Sequence, residues 1–170
     1  MSYNRERMLR ALRDSGLMTF ADTFRYPFSV LKYYRKERLF KARNPGFKVP
    51  PRFLAFDAYS APDWDFYMLS GSETAAFLSA TAKRYLPNGA RLRVLEWGCG
   101  PARVIRHIPS FIGSDMEVYG TDYNTDTIRW CNRNIPGIAF SLNGLRPPLQ
   151  FGVRLSPWLT QTVKTMFAVR

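Results

Sequence analysis

The residues whose types and spacing could do chemistry lie in the run VLEWGCGPAR, Val94 to Arg103, and in Asp122, 22 positions after Gly100. Gly98 and Gly100 permit a sharp backbone turn and leave no Cβ between the main chain and a ligand. Asp122 ends an apolar run at the distance where a carboxylate can accept both hydroxyls of a ribose. Glu96 precedes Gly98 by two positions. A carboxylate beside such a turn repels a diphosphate and attracts a cation. The last glycine of a GxGxxG pattern would fall at Arg103, so the dinucleotide fingerprint is incomplete.

The charge argument therefore favours a nucleoside ligand that carries positive charge and no phosphate. S-adenosylmethionine, with its ammonium and sulfonium groups, meets that description, and a nicotinamide-dependent oxidoreductase becomes the less favoured reading. The same residues carry a family resemblance. Glu96-Trp97-Gly98-Cys99-Gly100-Pro101-Ala102 resembles the first motif of class I S-adenosylmethionine-dependent methyltransferases, with Ala102 in place of the third glycine. VYGTD, ending at Asp122, resembles their second motif, and EWGCGPARVIRH is close to a bacterial group of them. The likeness covers about Phe66 to Pro148, roughly half of the chain. It implies that the glycine turn (Glu96, Gly98, Cys99, Gly100) holds the methionine part of the cofactor. It further implies that Asp122 and Tyr123 hold the ribose and that Asn143, after the third strand, borders the adenine. Segments such as Tyr67 to Gly71 often close over the ligand in that family.

Positioning these residues requires an α/β arrangement. Arg91 to Glu96, Met116 to Thr121 and Ile138 to Leu142 read as strands, separated by helices at Pro101 to His107 and Thr125 to Asn134. That alternation predicts a Rossmann-like parallel sheet, the first half of a class I methyltransferase fold, behind a helical N-terminal arm. Residues 3–14 read as one amphipathic helix, and a second is predicted from Pro27 to about Arg43. The aromatic stretch from Phe53 to Gly71 reads as an irregular connection, followed by a helix from about Ser72 to Tyr85 with Glu73 in its first turn. The division expected is an arm at 1–65, the partial cofactor domain at 66–149 and an atypical tail at 150–170.

In that tail the family resemblance lapses. Residues 150–170 hold no acidic residue and no fourth-strand motif. The resemblance then implies a truncated or frame-altered methyltransferase, active or inactive, or a noncatalytic S-adenosylmethionine-binding protein. Thr162 to Val169 is at best one more strand by β propensity; without a fourth strand the edge of Val94 and Leu95 would be bare and the fold marginally stable, unless residues 158–169 or another chain cover it. No residue suggests itself as the catalytic base, and the methyl acceptor is unspecified. Cys99 reads as a small turn residue, Cys131 and Trp130 as packing, and His107 as a helix-surface residue. Trp64, Phe66 and Tyr67 read as core or as the inner surface of a lid.

Composition narrows the class further. The 170 residues include 46% hydrophobic and 15% aromatic side chains, enough for a core. Two cysteines and one histidine exclude a disulfide framework and a four-ligand zinc site, so no metal is expected. No signal peptide or membrane-spanning run is visible, and a cytoplasmic location is expected. The formal net charge is +12, and residues 1–60 alone hold 13 basic against 5 acidic side chains. The basic arm, Phe24 to Lys48, is a solvated helical face or a site for an anionic partner, nucleic acid or an acidic membrane surface.

Overall fold

The computed structural model describes residues 17–85, 92–113, 116–144 and 165–169. The helix expected at 3–14 lies outside them. Helix α1 spans Leu17–Arg43, so it begins ten residues before the expected start and carries Pro27 in its interior. Proline removes one backbone donor, and Pro27 sits on the solvent side of the helix, where that loss costs least.

The aromatic stretch that reads as irregular is helical in two pieces, α2 (Arg52–Tyr59) and the start of α3 (Trp64–Tyr85). Ser60 closes α2 at φ 61°, its N–H donating to the Phe56 carbonyl at 2.7 Å. Asp63 then opens α3, its Oδ1 accepting the Phe66 N–H at 3.2 Å. Glu73 consequently lies mid-helix rather than in a first turn, and α3 runs through the expected boundary between residues 65 and 66. One short break at 60–63, capped by Ser60 on one side and Asp63 on the other, thus replaces the loop that Pro62 and the ring-rich composition suggested.

The rings have a destination. Phe40, Ala55, Trp64 and Tyr67 form a small core, with Phe47, Val49, Tyr59 and Met68 packed against it. Glu37, also buried, accepts hydrogen bonds from Lys41 Nζ and Arg52 Nε, each at 2.6 Å, and so ties α1 to α2. Burial alone would raise the Glu37 pKa; the hydrogen bonds from Arg52 and Lys41 outweigh it and hold the carboxyl below its usual range.

Strands β1 (Leu92–Trp97), β2 (Met116–Asp122) and β3 (Ala139–Leu142) form the parallel part of the sheet. Val94 faces Val118 and Trp97 faces Thr121, while Gly120 faces Phe140. A 3-10 turn (Ile105–His107) and helix α4 (Ile108–Ile112) connect β1 to β2, and α5 (Thr125–Asn134) connects β2 to β3. The helix expected at Pro101 to His107 is absent. Ala102 adopts φ 61°, incompatible with a right-handed helix, and Pro109 is accepted only in the first turn of α4.

A fourth strand, β4 (Thr165–Val169), pairs antiparallel with β1, giving the order β3-β2-β1-β4. Leu92 faces Val169 and Glu96 faces Thr165. The edge of Val94 and Leu95 is therefore covered by the run of β propensity, with its direction reversed relative to the other three strands. The main core joins the sheet to its helices: Val94, Val118 and Phe140 from the strands meet Ala75, Ile105, Ile108, Ile128 and Cys131. Burying this many aliphatic groups, each worth about 1.5–3 kcal/mol, fixes the strand ends that carry the candidate residues.

Candidate functional site

The turn after β1 is built on left-handed backbone, with φ of 65° at Gly98 and 52° at Gly100. The positive φ favours glycine at Gly100, and a Cβ there would also stand close to the Tyr59 hydroxyl, at 3.2 Å. Cys99 N–H donates to the Thr121 carbonyl at 2.9 Å, stitching the turn to β2. Asp122 completes the link from its side chain. Its Oδ2 accepts the Gly100 N–H and its Oδ1 the Asn124 N–H, both at 2.9 Å. An ionised carboxylate offers about four lone-pair sites, so Asp122 retains acceptor capacity for two hydroxyls.

Above this turn, at the C-terminal ends of β1 and β2, lies a cleft of about 200 Å3. Its floor is Gly98, Gly100 and Pro101; Asp122, Tyr123 and Thr127 form one wall, and Asp57, Ala58 and Tyr59 of α2 form the other. Ligands of open α/β sheets bind at this end of the strands. The volume is below the ~300–1,000 Å3 of pockets that enclose a drug-sized molecule, so it suits part of such a ligand.

The turn is also braced by α3 and by the arginines that follow it. Tyr67 donates its hydroxyl proton to the Pro101 carbonyl, and Arg106 Nη1 donates to the Tyr67 oxygen at 3.2 Å and the Lys48 carbonyl at 2.8 Å. Burial first of all pushes the Tyr67 phenol above its usual pKa, so it remains a donor. Arg103 lies over the Tyr59 and Phe66 rings, at 5.5 and 5.8 Å, and donates to Ser70 Oγ at 2.9 Å. Tyr67 to Gly71 is thus a packed portion of α3, not a segment that closes over the cleft: Tyr67 is 1% exposed and Gly71 abuts the Arg103 carbonyl.

Of the residues singled out from the sequence, Gly98, Gly100, Asp122 and Tyr123 come together on the cleft. Glu96, Cys99 and Asn143 do not line it. Glu96 points beneath the turn, buried, and its Oε2 accepts the Ile105 N–H at 2.9 Å. Cys99 belongs to the core, near Gly120, and Asn143 caps the end of β3 through its N–H to the Asp122 carbonyl at 3.1 Å. Burial, reinforced by Glu96, raises the Cys99 pKa far above that of an ordinary thiol, and burial raises Cys131 to about 12. Neither sulfur is a nucleophile at neutral pH. His107 lies in the 3-10 turn with its ring stacked on Phe47 at 6.2 Å, and burial, then Arg106, pushes its pKa down to about 4.

Sequence reading missed Asp57, Ala58, Tyr59, Pro101 and Thr127. Thr127 had a local signal: Asn124 Oδ1 accepts from Asp126 and Thr127 N–H, at 3.0 and 3.1 Å, as a helix cap, which fixes where α5 begins. Asp57 to Tyr59 had none, since packing of α2 against α1 and α3 brings them to the cleft. Among the described residues no group of three or more His, Cys, Asp or Glu side chains could hold a metal ion, and no helix is long and apolar enough to cross a membrane.

No family model and no curated protein matches the chain. Among solved structures, it is similar to a TehB-like SAM-dependent methyltransferase from Corynebacterium glutamicum, at 21% identity and a TM-score of 0.30. The match covers 39% of this chain and 33% of that one, so the chain spans about a third of that protein's length.

Proposed function

We propose that the chain binds S-adenosylmethionine in this cleft and acts as an S-adenosylmethionine-dependent methyltransferase. One observation carries the reading: two carboxylates, Asp57 and Asp122, line the cleft, and none of the described residues lining it is basic. Such a lining repels the diphosphate of NAD and favours a ligand with cationic sulfur and nitrogen. Glu96 stands as a third carboxyl beneath the turn, its Oε2 on the Ile105 N–H.

The residues fit that cofactor in parts. Asp122, held by two backbone donors, accepts the ribose hydroxyls; Gly98 and Gly100 let the ligand approach the main chain; Tyr123 and Thr127 border the nucleoside. Asp57 faces the cationic end. The bound cofactor supplies an electrophilic methyl group on a sulfonium. The chain's own contribution is alignment in a site that disfavours anions. A second reading, binding without transfer, is favoured by the lining itself: among the described residues no Lys, Arg or His borders the cleft to accept an acceptor's proton.

Calorimetry with S-adenosylhomocysteine and with NAD tests the reading. S-adenosylhomocysteine binds and NAD does not; Asp122→Ala weakens the former by about 10- to 100-fold, the cost of one or more hydrogen bonds to a charged group. Asp57→Ala, on the outer wall, weakens S-adenosylmethionine more than S-adenosylhomocysteine, because only the former has the sulfonium. NAD binding, or tighter adenosyl-ligand binding by Asp122→Ala, defeats the proposal. Transfer of a labelled methyl group to a cell extract separates the enzyme from the binder.

A further inference from the structure

Asp57 stands apart from the other acids of the chain. Lys and Arg outnumber Asp and Glu by 25 to 13, so a carboxylate here has cations at hand. Glu37, Asp63, Asp65, Glu117 and Asp126 each hold a lysine or arginine within 3.5 Å. Glu96 and Asp122 accept backbone N–H groups at 2.9 Å. Of the acids whose side chains are described, Asp57 and Glu73 alone hold neither a hydrogen bond nor an ion pair to another described residue. Glu73 lies midway along α3, outside the cleft, whereas Asp57 stands exposed on the α2 wall of the cleft, opposite Asp122.

We infer that Asp57 receives the methyl acceptor and that this acceptor is a small aliphatic amine, bound through its ammonium group. The inference rests on the reading of the cleft as an S-adenosylmethionine site. Charge decides the class. With Glu96 beneath the turn, three carboxyls stand at or near the cleft, and none of the described residues lining it is basic. Carboxylate, phenolate and phosphate acceptors are repelled there, and an ammonium is attracted. The rest of the chain limits the size: at a formal +12 it repels an extended polycation, so a single amine enters more readily than a lysine-rich segment. The transfer also keeps the charge in place. The ammonium loses one proton to solvent at the exposed mouth, its lone pair forms the N–C bond, and the C–S pair stays on sulfur. One positive charge leaves the sulfur and reappears on the methylated nitrogen, so the carboxylates that hold the first also hold the second. An oxygen anion as acceptor would extinguish that charge and forfeit the attraction.

An NMR titration of n-butylamine into the S-adenosylhomocysteine-bound full chain reads the binding without turnover. Transfer of a labelled methyl group, offered n-butylamine, butyrate, phenol or pentalysine, reads the reaction. n-Butylamine binds and is methylated in preference to the other three. Its binding is level between pH 7 and 9, because the ammonium persists, while transfer rises by up to about tenfold per pH unit as neutral amine forms below its pKa of about 10.4. Asp57→Asn weakens n-butylamine binding about 5- to 10-fold, the worth of an exposed charge-assisted pair, and raises KM for the amine more than it lowers kcat. Asp57→Glu recovers part of the loss, and Glu73→Gln, at the other unpaired acid, changes neither binding nor transfer. Failure of n-butylamine to bind, binding without transfer, preference for butyrate, phenol or pentalysine, or unaltered amine affinity in Asp57→Asn overturns the inference. As long as S-adenosylhomocysteine binds, each of these outcomes spares the cofactor reading. Absence of S-adenosylhomocysteine binding overturns both.

Discussion

Replacing Gly71 with alanine sets two effects of opposite sign against each other. Gly71 lies well inside α3, where alanine is better than glycine by about 1 kcal/mol on intrinsic helix propensity. Yet a Cβ at that position would stand 2.0 Å from the Arg103 carbonyl oxygen and 3.0 Å from its carbon. The obstacle is main chain rather than the end of a flexible side chain, so α3 and the turn must separate by about an ångström. That turn is held by the Tyr67 bond to Pro101 and by the Ala102 N–H bond to the Cys99 carbonyl at 3.1 Å. Overpacking of this kind costs about 1–3 kcal/mol and more where backbone is involved. Subtracting the propensity gain leaves a net loss of up to about 2 kcal/mol, or up to roughly 8 °C in melting temperature for a chain of this size. The assay is urea and thermal unfolding followed by tryptophan fluorescence, with S-adenosylhomocysteine titration of the folded variant. Gly46→Ala, where nothing lies within 4 Å, serves as the control and changes stability little. A Gly71→Ala protein that melts higher than wild type and binds the ligand as well would refute the claim that α3 braces the turn.

Ala102→Gly is expected to be nearly neutral, within about 0.5 kcal/mol, because relief of left-handed strain offsets the loss of a buried methyl and the added freedom of the unfolded chain. Ala75→Gly, at an equally buried position inside α3, loses about 2 kcal/mol; equal losses at both sites in chemical denaturation would mean that φ 61° stores no strain. His107, the only histidine, is held neutral by burial with a pKa near 4, so its contribution is complete above about pH 6.5 and is lost as pH falls towards 4. Allowing for solvent screening of a half-buried ring, stability at pH 5 is about 1 kcal/mol below that at pH 7. His107→Phe should flatten that slope between pH 5 and 6.5, and an unaltered urea-midpoint profile would count against the burial argument.

Much of the sheet was written in local pattern. The apolar runs at 92–97, 116–122 and 139–142 fall within one or two residues of the expected strands, and α5 occupies the expected positions. Short β-rich runs bounded by turn residues carry their own signal, and so do a glycine turn and an acid at a fixed distance. Gly98, Gly100, Asp122 and Tyr123 lie at one cleft for that reason. What neighbours decide was not legible. The rings of Trp64 and Tyr67 and the charge of Glu37 are satisfied by contacts that only the packing of α1, α2 and α3 creates, so the helical state of Arg52–Tyr59 had no periodic signature of its own.

The sequence by itself determined the parallel βαβαβ order, the left-handed turn and the acid that faces it, because each depends on residues adjacent along the chain. The tertiary structure alone decided that Glu96 looks beneath the turn toward Ile105 N–H, that Asp57 and Tyr59 form a wall of the cleft, and that β4 runs against β1. Side-chain direction at the end of a strand, and the partner of a free strand edge, are set by which hydrogen-bond donors and apolar surfaces arrive from distant segments, and no local pattern encodes their arrival.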